Sequence, residues 1–201
     1  MIGLGQWLAL CAICLLGAAS PGPSLAVVLQ STLAGSRRTG VLTALGHGCG
    51  VTLYALITVC GLGILVAELP PLYATIKLSG AAYLLWLAYL SWHAGQSAGH
   101  RLPSGRSGFM RGALVALLNP KLAIFMLALF SQFLDADAGL LHGAILIATA
   151  GVIDTLWYLA IVLASGTATV QRGLARNTVA LNRFFALLLT ALALWVIVST
   201  V

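Results

Sequence analysis

The sequence predicts an all-α integral membrane protein, with six transmembrane helices in two inverted three-helix repeats and the first and fourth helices broken at proline. Three observations carry this. Of 201 residues, 61% are hydrophobic and 7% charged, with a mean hydropathy of +1.05, whereas soluble domains carry about 25% charged residues. Apolar segments at about 5–34, 41–67, 72–94, 109–133, 139–165 and 181–201 are each long enough to cross a bilayer as a helix. The first and fourth segments, half a chain apart, are both interrupted by proline. Three helices per half is an odd number, so the second half must run inverted. Paired interruptions in inverted halves point to a transporter's central site. A faint echo supports the division into halves of about 1–100 and 101–201: Thr52-Leu53-Tyr54-Ala55-Leu56 resembles Thr155-Leu156-Trp157-Tyr158-Leu159. No polar stretch is large enough for a soluble domain, so a single membrane domain is expected.

The first segment is too long for one simple span and is cut by Ser20-Pro21-Gly22-Pro23-Ser24. Two prolines and a glycine remove backbone donors and loosen the helix. Ser20 can cap a new helix with Pro21 in its first turn. From Trp7 to Ser20 is roughly 20 Å of helix, which sets this break near mid-depth. The N-terminus lacks the basic region of a signal peptide.

The second segment carries Gly46-His47-Gly48-Cys49-Gly50. Gly46 and Gly50 have the spacing that lets helices approach closely. Packing inside the subunit is the first reading of that spacing and a homodimer face the second. His47 is a candidate proton relay.

The fourth segment contains Asn119-Pro120-Lys121. Asn119 suits an N-cap and Pro120 the first helical position, so a helix restarts here. Phe109 to Leu118 spans roughly 15 Å, about half of a hydrocarbon core of roughly 30 Å. A lysine at that depth costs about 2.5–3.5 kcal/mol on the insertion scale and marks a functional candidate. A helix start beside an ammonium attracts an anion.

In the fifth segment Asp154 is the one acid deep in a span, roughly 22 Å beyond Gly139. Gly151, Trp157 and Tyr158 share its face by the three-and-four spacing. An unpaired buried carboxylate tends to take up a proton. Asp154 therefore has three candidate jobs: neutralising Lys121, holding a substrate ammonium, or carrying a coupling proton. A Lys121–Asp154 pair that merely locks helices together is the plainer alternative, and an inefficient way to hold helices.

The connections set the orientation. Arg37 and Arg38, Arg101 and Arg106, and Arg172 and Arg176 fall in alternate loops, whereas Glu68, Asp135 and Asp137 fall in the others. The bias puts the arginine loops in the cytoplasm and both termini in the periplasm. The net charge of +6 is spread over these loops and is not a nucleic-acid signal. Trp7, Trp92 and Trp195 sit near segment ends, as interfacial anchors do. Asn182 and Arg183 are expected at the cytoplasmic edge of the sixth segment, and Gln132 at an outer edge. Cys11 and Cys14 have a CxxC spacing; the plain reading is small apolar packing, and the alternative a membrane redox protein.

These stretches resemble the LysE/RhtB family of amino-acid exporters. The resemblance rests on Ser20-Pro21-Gly22-Pro23, Gly46-His47-Gly48-Cys49-Gly50, Lys77-Leu78-Ser79-Gly80-Ala81-Ala82-Tyr83-Leu84, Phe109 with Gly112 and Asn119-Pro120-Lys121, and Ser131-Gln132-Phe133, in order over nearly the whole chain. It departs in a short third loop. It implies a multi-pass protein of the bacterial inner membrane that exports amino acids on the proton gradient, neither an enzyme nor dependent on a cofactor. The substrate-binding candidates are Ser20, Pro21, Gly22, Pro23, Asn119, Pro120, Lys121, Asp154 and Tyr158; the proton-coupling candidates are Asp154 and His47. The amino acid's carboxylate is expected to face Lys121 and both half-helix starts, and its ammonium Asp154. A divalent-cation exporter is the rival, using Asp154, His47 and Cys49, although Lys121 beside them would repel a cation. A non-transporting structural protein leaves Lys121 and Asp154 unexplained.

Overall fold

In a computed structural model, every regular element among the described residues is helical. Those residues are 2–20, 22–93, 107–134 and 139–165, together with 179–198 except 181, 185, 188, 192, 195 and 196. The helices are α1 (Leu4–Ala19), α2 (Pro23–Gln30), α3 (Arg37–Glu68), α4 (Pro70–His93), α5 (Gly108–Leu117), α6 (Pro120–Phe130) and α7 (Leu140–Ala164). Described residues between 179 and 198 are also helical. The loops holding Arg101, Arg106, Arg172, Arg176, Asp135 and Asp137, and the residues Pro21 and Trp195, lie outside the described residues.

Both interruptions read from the sequence are real bends. α1 and the segment Pro23–Gly35 meet at 62°, and α5 and α6 at 60°. Among the described residues, α3 and α7 are long and apolar enough to cross a bilayer unbroken, and up to four helical units qualify if each bent pair is one span. α2 runs into a widened turn, Ser31–Gly35, where the Ser36 amide donates back to the Ser31 carbonyl. Ser36 then starts α3 by accepting the Thr39 amide on its hydroxyl at 3.1 Å.

α3 is the central post, flanked by α5 and α7, and glycines on two of its faces make this possible. Toward α5, a Cβ on Gly46 would run into the Phe109 carbonyl, and one on Gly50 would lie 2.7 Å from the Ala116 methyl. A Cβ on Gly112 of α5 would strike the Thr43 carbonyl and the His47 amide. The glycine spacing in the second segment is therefore used inside the subunit. Toward α7 the contact is reciprocal. A Cβ on Gly48 would strike the Thr155 hydroxyl, and one on Gly151 the Thr52 hydroxyl. Each threonine donates to the carbonyl of the glycine one turn earlier on its own helix, Thr52 to Gly48 at 2.8 Å and Thr155 to Gly151 at 2.7 Å. The main apolar core gathers Leu10, Leu84, Leu129, Phe130 and Leu146 between the helices. Trp7, near the start of α1, donates its indole N–H to the Thr149 hydroxyl at 3.1 Å, tying α1 to α7. Arg183 lies over the Trp92 ring at 5.5 Å, and Asn182 and Gln132 are buried, Gln132 just past the end of α6.

Candidate functional site

Each bend frees backbone groups that a continuous helix would pair. At the second bend, Asn119 takes the N-cap position with Pro120 at the first helical position, and its side-chain oxygen accepts the amides of Lys121 at 3.1 Å and Leu122 at 3.4 Å. The freed Leu117 carbonyl accepts the Tyr54 hydroxyl at 2.6 Å. At the first bend, Gly22 is the N-cap residue and supplies no side-chain cap. The Ala18 carbonyl accepts the Tyr158 hydroxyl at 3.4 Å. A tyrosine from the post in one half of the sequence thus serves the bend in the other half.

Two side-chain bonds join the bends. The Lys121 ammonium donates to the Ser20 hydroxyl at 2.8 Å, and the Asn119 amide nitrogen to the Ser24 hydroxyl at 3.4 Å. Between them lies a cavity of about 50 Å³, room for roughly four waters. Ser20, Gly22, Pro23 and Ser24 line it from the first bend, and Asn119, Lys121 and Leu122 from the second. His47 enters from α3, and Asp154 and Tyr158 from α7. Cys14, Gly17, Ala18, Phe125, Met126 and Ala150 form an apolar wall. Of the residues singled out in the sequence, Ser20, Gly22, Pro23, Asn119, Lys121, Asp154, Tyr158 and His47 come together at this cavity. Pro120 acts one step back, by starting α6.

The acid's short contact is to histidine. His47 Nδ1 and Asp154 Oδ2 are 2.7 Å apart, with His47 2% and Asp154 6% exposed. Asp154 thus meets His47, a partner the sequence reading left out of its three jobs. The Tyr158 ring stands edge-on to the imidazole, with centroids 4.7 Å apart. The helix starts also differ from the expectation. Asn119 already occupies the first amides of α6, so of the two helix starts at the bends it is that of α2 which lacks a side-chain cap. Sequence reasoning missed Tyr54, whose signal was its place in the echo with the Thr155 stretch, and Phe125, which carried none. Phe125 lies on Gly17, where a Cβ would come within 2.9 Å of the ring. Cys11 and Cys14 are free thiols, and Cys14 is buried in the cavity wall.

Two bent helices around a mid-chain polar cavity, flanked by unbroken apolar helices, define the class of a multi-pass membrane transporter. The comparisons with known proteins give the family. The model of the LysE type translocators matches residues 15–200, and the chain belongs to that family. It is 31% identical over 183 residues to the uncharacterized membrane protein YahN of Escherichia coli, covering 87% of this chain and 81% of that protein. It is 27% identical over 188 residues to the threonine efflux protein of E. coli, covering 90% and 91%. A leucine efflux protein of Klebsiella pneumoniae is 32% identical over 124 residues, covering 59% and 58%. No solved structure matches the chain.

Proposed function

We propose that the protein is an amino-acid efflux carrier of the bacterial inner membrane, driven by the proton gradient and working by alternating access. The observation that carries this is the meeting of one ammonium, one carboxylate and one imidazole with both helix bends in one small cavity. A zwitterion finds opposite charge for both its ends there, so neither protein charge is left alone when it binds. Its carboxylate lies toward Lys121 and the uncapped start of α2, and its ammonium toward the Asp154 side. The cavity's size suits a small amino acid. The efflux proteins among the relatives support threonine- or leucine-like substrates. A divalent cation is disfavoured because Lys121 faces the same space.

The chain is read as two inverted halves, about 1–100 and 101–201, that rock against each other. Three features support the division: the two bends of near-equal angle, the crosswise tyrosines, and the reciprocal Gly48–Thr155 and Gly151–Thr52 contacts at a single sequence offset. The arginine loops then face the cytoplasm and both termini the periplasm.

The test is transport by purified protein in vesicles, using L-threonine and L-leucine. Lys121→Met removes a charge-assisted hydrogen bond, on the order of 1.5–3 kcal/mol, and should weaken binding roughly ten- to a hundred-fold. Asp154→Asn should abolish pH-driven efflux. The double variant Lys121→Met/Asp154→Asn should insert but not transport. Recovery of transport in the double variant would show that the charges only balance each other, and would refute the site.

A further inference from the structure

We propose that His47 Nε2 is the coupling atom: it holds either the substrate's ammonium or the driving proton, never both. The inference rests on the zwitterion reading above.

A carboxylate can only accept hydrogen bonds, so the 2.7 Å contact to Asp154 Oδ2 puts the hydrogen on His47 Nδ1. That fixes the neutral ring in the tautomer whose Nε2 carries a bare lone pair. Nε2 is buried and has no hydrogen-bond partner among the described residues, on a side chain that is 2% exposed and lines the cavity. A buried polar atom without a partner is a cost that a native site keeps when a ligand completes it. The missing group must be a donor. The substrate ammonium is a donor, and so is a proton carrier that leaves its proton on Nε2. Asp154 serves both states, because its Oδ2 holds the Nδ1 hydrogen whether the ring is neutral or charged.

The surrounding groups fit this assignment. Lys121, on α6 across the cavity, donates to Ser20 and suits the carboxylate end. Tyr158 of α7 meets the imidazole by its ring edge and sends its hydroxyl to the Ala18 carbonyl. Cys14 is the α1 thiol on the wall, and α2 contributes no titratable residue. α5 touches the His47 backbone through Gly112, while its Arg111 guanidinium reaches Ser31 instead.

One lone pair cannot hold two cations. Facing the cytoplasm, the imidazolium releases its proton and the neutral Nε2 takes the substrate ammonium. Facing the periplasm, the substrate leaves and a proton takes its place. One proton enters for each amino acid that leaves. Asp154 acts as a positioning residue one step behind the contact, rather than as the ammonium's direct partner.

The experiment is calorimetric titration of the purified full-length protein with L-threonine and with L-leucine, between about pH 5 and 8, in buffers of different ionisation heat. Wild type should release about one proton per amino acid bound at the acid end, with affinity falling up to about tenfold per pH unit there. His47→Asn keeps an N–H for Asp154 and lacks Nε2. It should bind with no proton release and a flat pH profile, and counterflow should outlast pH-driven efflux. His47→Gln is the second variant, with the same loss of proton release expected. Binding by wild type without proton release overturns the proposal with no variant needed. Undiminished release in either variant overturns it as well. If neither amino acid binds or moves, the zwitterion reading fails; if both bind while the proton count ignores His47, only this inference fails.

Discussion

At the second bend, Asn119 gives its side-chain oxygen to the first amides of α6, whereas at the first bend Gly22 has no side-chain oxygen to give to α2. The same asymmetry appears on the carbonyl side: Tyr54 holds Leu117 at 2.6 Å and Tyr158 holds Ala18 at 3.4 Å. The second bend is closed on itself and tied short, and the first is open. An open helix start beside a lysine favours an anionic group, and a capped one does not. The two bends are alike in angle yet offer the cavity different groups. The second presents the ammonium of Lys121, and the first presents the bare helix start.

Five variants test that difference. The largest effect is expected from Pro21→Ala/Pro23→Ala, which restores backbone donors and favours a continuous first helix. Export should fall to background while the protein still reaches the membrane, measured by vesicle efflux and membrane content. Normal export by this variant would reduce the first bend to a mere kink. Next is Tyr54→Phe, which leaves the Leu117 carbonyl without its hydroxyl donor at a cost of about 1–3 kcal/mol. A clear drop in the melting temperature of the purified protein is expected, larger than for Tyr158→Phe, whose bond is longer. Equal drops would erase the difference between the bends on the carbonyl side.

Smaller effects are expected from the pair Asn119→Ala and Gly22→Ser. Losing the cap should destabilise by about 0.5–2 kcal/mol. Adding one at Gly22, where a Cβ has open space up to the Ser20 carbonyl at 3.9 Å, should stabilise by only about a few tenths of a kcal/mol. Gly22→Ser should nonetheless raise the substrate concentration for half-maximal transport several-fold, because its hydroxyl competes with the carboxylate. A more stable variant with unchanged affinity would mean that the α2 start does not meet the substrate.

Much of this was legible before any coordinates. Lys121 and Asp154 stand out because a charge in an apolar run has no cheap explanation. The bends show because proline and asparagine act locally, within one turn. The partner of Asp154 was not legible, because His47 is 107 residues away and its selection depends on how α3 crosses α7. The partner of Trp7 was hidden for a related reason: its position near a segment end suggests an interface, and only packing shows Thr149 within reach. The occupied start of α6 was implicit in the sequence. A residue read as an N-cap consumes the amides it caps, so Asn119 already argued against a second open helix start.

The α3–α7 crossing has a mechanical consequence. Glycine meets threonine on both sides of the crossing, and the near contact of backbone and hydroxyl blocks sliding there. In the rocking proposed above, such a joint would act as an axle. His47 precedes Gly48 and Asp154 precedes Thr155, so the imidazole–carboxylate pair sits at the hub. In a rigid rotation, displacement grows with distance from the axis. Rocking about this crossing would therefore leave the 2.7 Å pair almost still while parts of the helices farther from the crossing swing past it.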